Sequence, residues 1–453
     1  MSASAIYKLF VAIFFSVMAS YSIGKDCSRS VNAAKLPPMA TNQSSPVFLS
    51  TTSEPFPSKV FSVIALNDES YAFASLSDAV IEGVSSKPSA VIALLKKEEG
   101  EWKVSHYFSV IPDDPSITKA FGLALSRDES VLAVAVRDGI ALFDVASIIQ
   151  KQPIPTYVDL HTGYYDKRIG PGSIAIVAAK NNKHFFVADE YGESQGYQGV
   201  GDVAVVSYER DITGAIFAQR QGYVKPEQNA IAGINISPDG KTLYIPSQTS
   251  SEDQYLNFSG LDHPEIAKPC GNSFSGSISI VDVDTLLQKA ELNPGDGNRV
   301  IDKAIQAKIA AGCGVVRVAV SSDGKTIWST ARTDNTIHAF DAALLRSNPN
   351  YAYLYSFSSA GFTPVGISSF SQDRYLAVSN SNRFGAVDEN GQLIPPNISI
   401  FDVSRRGDPE LLQTIASGNF PRDIYRTPDN SSVVVANWLS FTLQKISVAP
   451  THE

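Results

Sequence analysis

The chain has 453 residues, 43% of them hydrophobic and 18% charged, and a formal net charge of −9. This is the composition of a folded chain, and without a basic stripe it excludes nucleic acid as a partner. Three cysteines are too few for a disulfide scaffold, so a hydrophobic core must hold the chain together.

At the amino terminus, Lys8 precedes the apolar run LFVAIFFSVM (9–18) and the small residues Ala19, Ser20, Ser22 and Gly24. The pattern predicts a secretory signal over 1–22, and the run is too short to span a bilayer. A short membrane anchor is the alternative reading. Residues 23–44 are polar and are expected to be a flexible segment. No second hydrophobic segment follows, so no stable membrane insertion is expected. Export agrees with the Asn-x-Ser sequons at Asn42, Asn257, Asn397 and Asn430. A fifth, Asn235, falls inside a predicted strand and is the poorest acceptor.

From residue 45 one phrase recurs. Its turn forms are LNDES (66–70), SRDES (126–130), AKNNK (179–183), SPDGK (237–241), SSDGK (321–325), SQDRY (371–375) and TPDNS (427–431). Asp, Asn and Gly at the centre supply the side-chain-to-backbone bonds and positive φ that tight turns need. Each turn leads into an apolar β-rich run, such as VLAVAV (131–136) or SVVVAN (432–437). A third strand then follows, such as GIALFDV (139–145) or NISIFDV (397–403). The turn centres lie 60, 53, 58, 84, 50 and 56 residues apart. Seven repeats of that length predict an all-β, seven-bladed β-propeller of four-stranded blades over 45–450. The chain ends soon after the last third strand, so SPVFLS (45–50) is expected to supply the outer strand of blade seven and close the ring.

The fourth repeat is the longest, with insertions at 249–277 and 288–313. Within the second, Val300, Ile301, Ala304, Ile305 and Ile309 are spaced for a helix over 298–313. Cys270 and Cys313 fall in this one unit and are expected to form a disulfide, leaving Cys27 over; three free thiols are the alternative.

The phrases PVGISSFSQDRYLAVSNSN (364–382) with NISIFDV, and FPRDIYRTPDNSSVVVANW (420–438) with TLQKISV, resemble the YVTN-repeat and lactonase-like seven-bladed propellers. The resemblance covers the chain from about residue 45. The GH and WD signatures of WD40 repeats are absent. Some members of the resembled group are lactonases and carboxymuconate-lactonising enzymes that work with His, Arg and Glu on the ring face. VADEYGES (187–194) looks like their strand-end Glu segment, which implies that role for Glu190. The second repeat lacks their histidine motif.

Propellers bind ligands at one mouth of the channel, where second strands end and first strands begin. Aligned second-strand ends place Ser77, Arg137, Glu190, Gln248, Arg332, Ser381 and Trp438 on the rim. One residue earlier stand Leu76, Val136, Asp189, Ser247, Ala331, Asn380 and Asn437, and Arg422 and Asp423 open the last first strand. Arg137 and Arg332 are candidates to grip a carboxylate bidentately, with Glu190 as a base. Asp189, Gln248, Asn380, Arg422, Asn437 and Trp438 are candidate ligand contacts. No HxxxH or HExxH pair and no phosphate loop occurs, so neither a metal nor a cofactor is expected. Two functions follow. One is a secreted, monomeric binding module for a small molecule, glycan or extracellular protein. The other is a lactonase- or cycloisomerase-like enzyme acting on a carboxylated lactone or muconate-type substrate. The missing histidine motif favours the first.

Overall fold

The seven repeats fold as seven antiparallel sheets, each led by the hairpin built on the recurring turn. The computed structural model describes residues 46–449, apart from 113, 115, 161–171, 192–199, 227–228 and 293–295. The expectations for 1–22, 23–44, Cys27 and Asn42 fall outside the described residues. Among the described residues, no helix is long and apolar enough to cross a membrane.

Blade two shows the plan. Its strands are Ala120–Leu125, Val131–Val136, Gly139–Asp144 and Thr156–Asp159, hydrogen-bonded in that order from the channel outward. The second and third strands are buried along their whole length. Both faces of each sheet are apolar because both are covered by neighbouring blades. One core cluster accordingly joins Phe61 of blade one, Leu142 of blade two and Phe185 of blade three.

The recurring turns also link the blades. Within a turn the Asp carboxylate accepts from the backbone two residues on, as Asp239 does from Lys241 N at 3.0 Å. Between turns, Asn67 N donates to Glu129 Oε1 at 2.6 Å and Asp128 N to Asn182 Oδ1 at 3.1 Å. Further round, Ser322 N donates to Asp373 Oδ2 at 2.6 Å, and the Tyr425 hydroxyl to the Ala65 carbonyl at 3.3 Å. The turns therefore form a belt at the end of the channel opposite the rim.

Ring closure follows the sequence expectation. Phe48–Thr52 pairs with Thr442–Val448 as the outer strand of blade seven, in register from Phe48 with Val448 to Thr52 with Gln444. The Phe48 ring lies 5.0 Å from Tyr375 and 6.1 Å from Phe370, edge to face with both.

Blade four departs from the expectation in two places: its sheet gains a fifth, two-residue strand, Pro269–Cys270, paired with Ser273–Asp282, and its outer strand lies where a helix was expected. The segment read as a helix over 298–313 holds a single 3-10 turn, Asp302–Ala304, and then the outer strand Ile305–Ala310. That strand pairs with the third strand, Ser277 opposite Ala310 and Ile278 opposite Ile309. The unfilled edge of the third strand outweighs local helical spacing. The helix of this blade lies earlier, at Val283–Glu291, and Asp282 caps it by accepting from Thr285 N at 2.8 Å. Asp144 and Asp341 cap short helices after the third strands of blades two and five in the same way. Cys270 and Cys313 form a disulfide that ties the insertion between the second and third strands to the end of the outer strand. Phe258 and Ile266 of that insertion pack with Ile309 of the outer strand.

Candidate functional site at the channel mouth

Second strands end, and first strands begin, at the same rim. Four rim positions are locked to the next blade, three by backbone bonds and one by a side-chain hydroxyl. The carbonyls of Arg137, Glu190 and Gln248 accept from Ser173 N at 3.2 Å, Ile231 N at 2.9 Å and Gly314 N at 3.0 Å. The Ser77 hydroxyl donates to the Ala120 carbonyl at 2.9 Å. Side chains carried at these points are held before any ligand arrives.

Three of the aligned residues form one chain across blades three, four and five. Glu190 is buried, and its Oε1 accepts from Tyr191 Oη and from Gln248 Nε2, each at 3.1 Å. Gln248 in turn accepts from Arg332 Nη2. The amide thus couples the carboxylate to the guanidinium without direct contact between them.

The inner strands add a second layer. Six of the seven carry a register shift near their start, and such bulges redirect side chains. At the bulge, or the equivalent position in blade four, the repeats read Phe-Ser, Phe-Gly, Ile-Ala, Ala-Gly, Val-Arg, Val-Gly and Arg-Asp, ending at Ser62, Gly122, Ala175, Gly233, Arg317, Gly366 and Asp423. Small residues are needed because adjacent inner strands nearly touch. A Cβ on Gly233 would sit 2.7 Å from the Val316 carbonyl and 3.0 Å from Arg317 Nη1. One on Gly366 would sit 2.6 Å from the Arg422 carbonyl. The exceptions are Arg317 and Asp423, and Asp423 accepts from the Ser62 hydroxyl at 2.7 Å. The alignment of second-strand ends missed Arg317. Aligning the first strands instead would have exposed it as a lone guanidinium in a column of small residues.

Several guanidiniums lie close enough here to act on one another. Burial lowers the pKa of Arg422 to about 9; Glu190 opposes this, while Arg317, Arg383 and Arg332 add to it. Burial likewise lowers Arg317, against the pull of Asp423 and Glu190. A guanidinium stays protonated at neutral pH. The direction of these shifts therefore reports guanidiniums drawn out of water, and for Arg422 the closeness of three like charges as well. Arg317 Nη1, Arg422 Nε and Trp438 Nε1 are buried atoms without a hydrogen-bond acceptor among the described residues.

Aromatic rings alternate with cations around half of the rim. Arg332 and Arg383 face Phe384 at 5.6 and 5.4 Å. Arg383 and Arg422 face Phe420 at 5.5 and 5.8 Å. Arg422 and Lys59 face Trp438 at 5.1 and 5.9 Å. Phe420 holds a left-handed φ of 55°, a costly backbone state for an aromatic residue.

The remaining candidates sit as follows. Asp189 is buried and accepts from Tyr191 N at 3.3 Å. Asn380 and Asn437 are turned into their own blades. Asn380 donates to Asn397 Oδ1 at 2.8 Å and Ser399 Oγ at 3.0 Å, and Asn437 donates to Gln444 Oε1 at 3.2 Å. Among the sequons, Asn257 is exposed, whereas Asn397 is engaged by Asn380 and Asn430 sits in a turn at φ 59°. Among the described residues, no group of three or more His, Cys, Asp or Glu is placed to hold a metal ion.

Fold and rim together define a seven-bladed β-propeller with a cation-rich mouth. No family model matches the sequence, and no curated protein matches it. Solved structures do. The β-propeller domain of Cps50 (Swd1) from Myceliophteria thermophila aligns with a TM-score of 0.54 at 11% identity, over 88% of this chain and 100% of that one. Hydrazine synthase from Kuenenia stuttgartiensis aligns with a TM-score of 0.55 at 14% identity, over 88% and 97%. At these identities the likeness concerns the fold alone.

Proposed function

We infer that this propeller is a binding module whose channel mouth receives an anionic ligand. The carrying observation is the surroundings of Arg422, a buried guanidinium on which Glu190 pulls while the guanidiniums of Arg317, Arg383 and Arg332 push. Bidentate carboxylates are the natural partners of such a cluster, in a site where surrounding protein strengthens the interaction. The ligand is a small molecule, a glycan or part of a protein. Export through the 1–22 segment agrees with the Cys270–Cys313 disulfide, since such bonds persist in oxidising compartments. A thermal-shift screen of acetate, succinate and citrate at low ionic strength tests the reading. Stabilisation should rise with ligand charge and vanish in Arg422→Met. No shift with any of the three would reject it.

The lactonase- or cycloisomerase-like reading rests on Glu190 lying among arginines, with Gln248 joining it to Arg332. Glu190→Gln should then abolish turnover of a carboxylated γ-lactone. Turnover that survives the substitution removes Glu190 as the base.

A further inference from the structure

The aromatic and cationic side chains of the rim form one uninterrupted series: Arg332, Phe384, Arg383, Phe420, Arg422, Trp438, Lys59. It passes through blades five, six, seven and one, and so extends well beyond a site for one small anion. Three features argue that the series does more than brace the rim. Phe384 is 56% exposed, so its ring still offers a face to solvent. Arg383 is exposed as well, held over the two phenylalanines with no carboxylate paired to it among the described residues. At the inner end, Trp438 Nε1 and Arg422 Nε lack acceptors among the described residues.

We propose that this arc is a track for an acidic oligosaccharide, a linear chain of uronic-acid units lying across blades five to one. The inference rests on the anion-binding reading of the mouth and specifies its ligand class. A uronic-acid chain repeats one flat, partly apolar ring and one carboxylate per unit. The track repeats one flat aromatic ring and one cation, so that sugar faces meet rings and carboxylates meet guanidiniums. An acidic peptide supplies the charges but no ring at each repeat, which leaves the aromatic half of the series without a partner.

Calorimetric titration with monogalacturonate, tetragalacturonate and hexaglutamate tests this at fixed ionic strength. The tetramer should bind at least ten-fold more tightly than the monomer. That advantage should disappear in Phe384→Ala and in Arg383→Ala, both surface changes compatible with folding. Equal binding of monomer and tetramer would overturn the track while leaving the anion site standing. If hexaglutamate binds as tightly as tetragalacturonate, and loses as much in Phe384→Ala, the sugar assignment is overturned. If none of the three gives heat and citrate is also silent, the underlying anion reading falls with it.

Discussion

Arg422 has a cost that function would explain. It is partly buried, lies 4.4 Å from the Phe61 ring and shares the mouth with three like charges. Replacing such a group by an apolar one of similar length often stabilises a protein. Arg422→Met is therefore expected to raise the ligand-free stability by about 1–2 kcal/mol, read by urea denaturation. A loss of stability would mean that the aromatic contacts outweigh the charge strain. His338 offers a separate test. It is buried on the third strand of blade five, neither ring nitrogen has a hydrogen-bond partner among the described residues, and burial lowers its pKa to about 3. In the unfolded chain His titrates near 6.5, so below that pH only the unfolded state takes the proton. Stability should fall by up to ~1.4 kcal/mol per pH unit from about pH 6.5 towards pH 3 through this group alone. Denaturation curves at pH 7 and pH 5 should differ less for His338→Leu than for the native protein. An unchanged difference would assign the acid sensitivity elsewhere.

The hairpins were legible because their turns need particular residues. Asp239 and Asp323 each accept from the backbone two residues on, and both stand in a nearly repeated phrase. The closing strand was legible from what the last repeat lacked. The outer strand of blade four was misread, because Val300, Ile301, Ala304 and Ile305 are helically spaced while pairing with a distant edge decides the outcome. Two elements carry measurable weight. The Cys270–Cys313 bond closes 43 residues, and its loss in Cys313→Ser should cost about 3–4 kcal/mol in denaturant unfolding. No loss would show that packing of the insertion suffices. Phe48 is 4% exposed against Phe370 and Tyr375, so Phe48→Ala should cost about 3–5 kcal/mol and loosen the closure. Unchanged protection of the Thr442–Val448 amides in hydrogen exchange would contradict that role.

At the scale of the whole molecule, the ring gathers residues that the sequence scatters. Glu190, Gln248, Arg332 and Trp438 could be aligned because each follows the apolar run of a second strand. Arg317 escaped because it lies in a first strand, and Arg383 and Phe384 because they lie between a second and a third strand, where the repeats differ in length. The result is a chain of net charge −9 whose mouth gathers four guanidiniums, Arg317, Arg332, Arg383 and Arg422, around Glu190. Electrostatic contrast of this kind steers anions to one point of an otherwise repelling surface. The most direct test is calorimetric titration of citrate into the native protein and into Arg317→Met and Arg422→Met, at low and at 0.5 M salt. Saturable binding to the native protein at low salt, weakened by at least ten-fold in both variants and by added salt, is the expected result. No saturable binding, or binding that both variants retain in full, would contradict an anion site at the mouth.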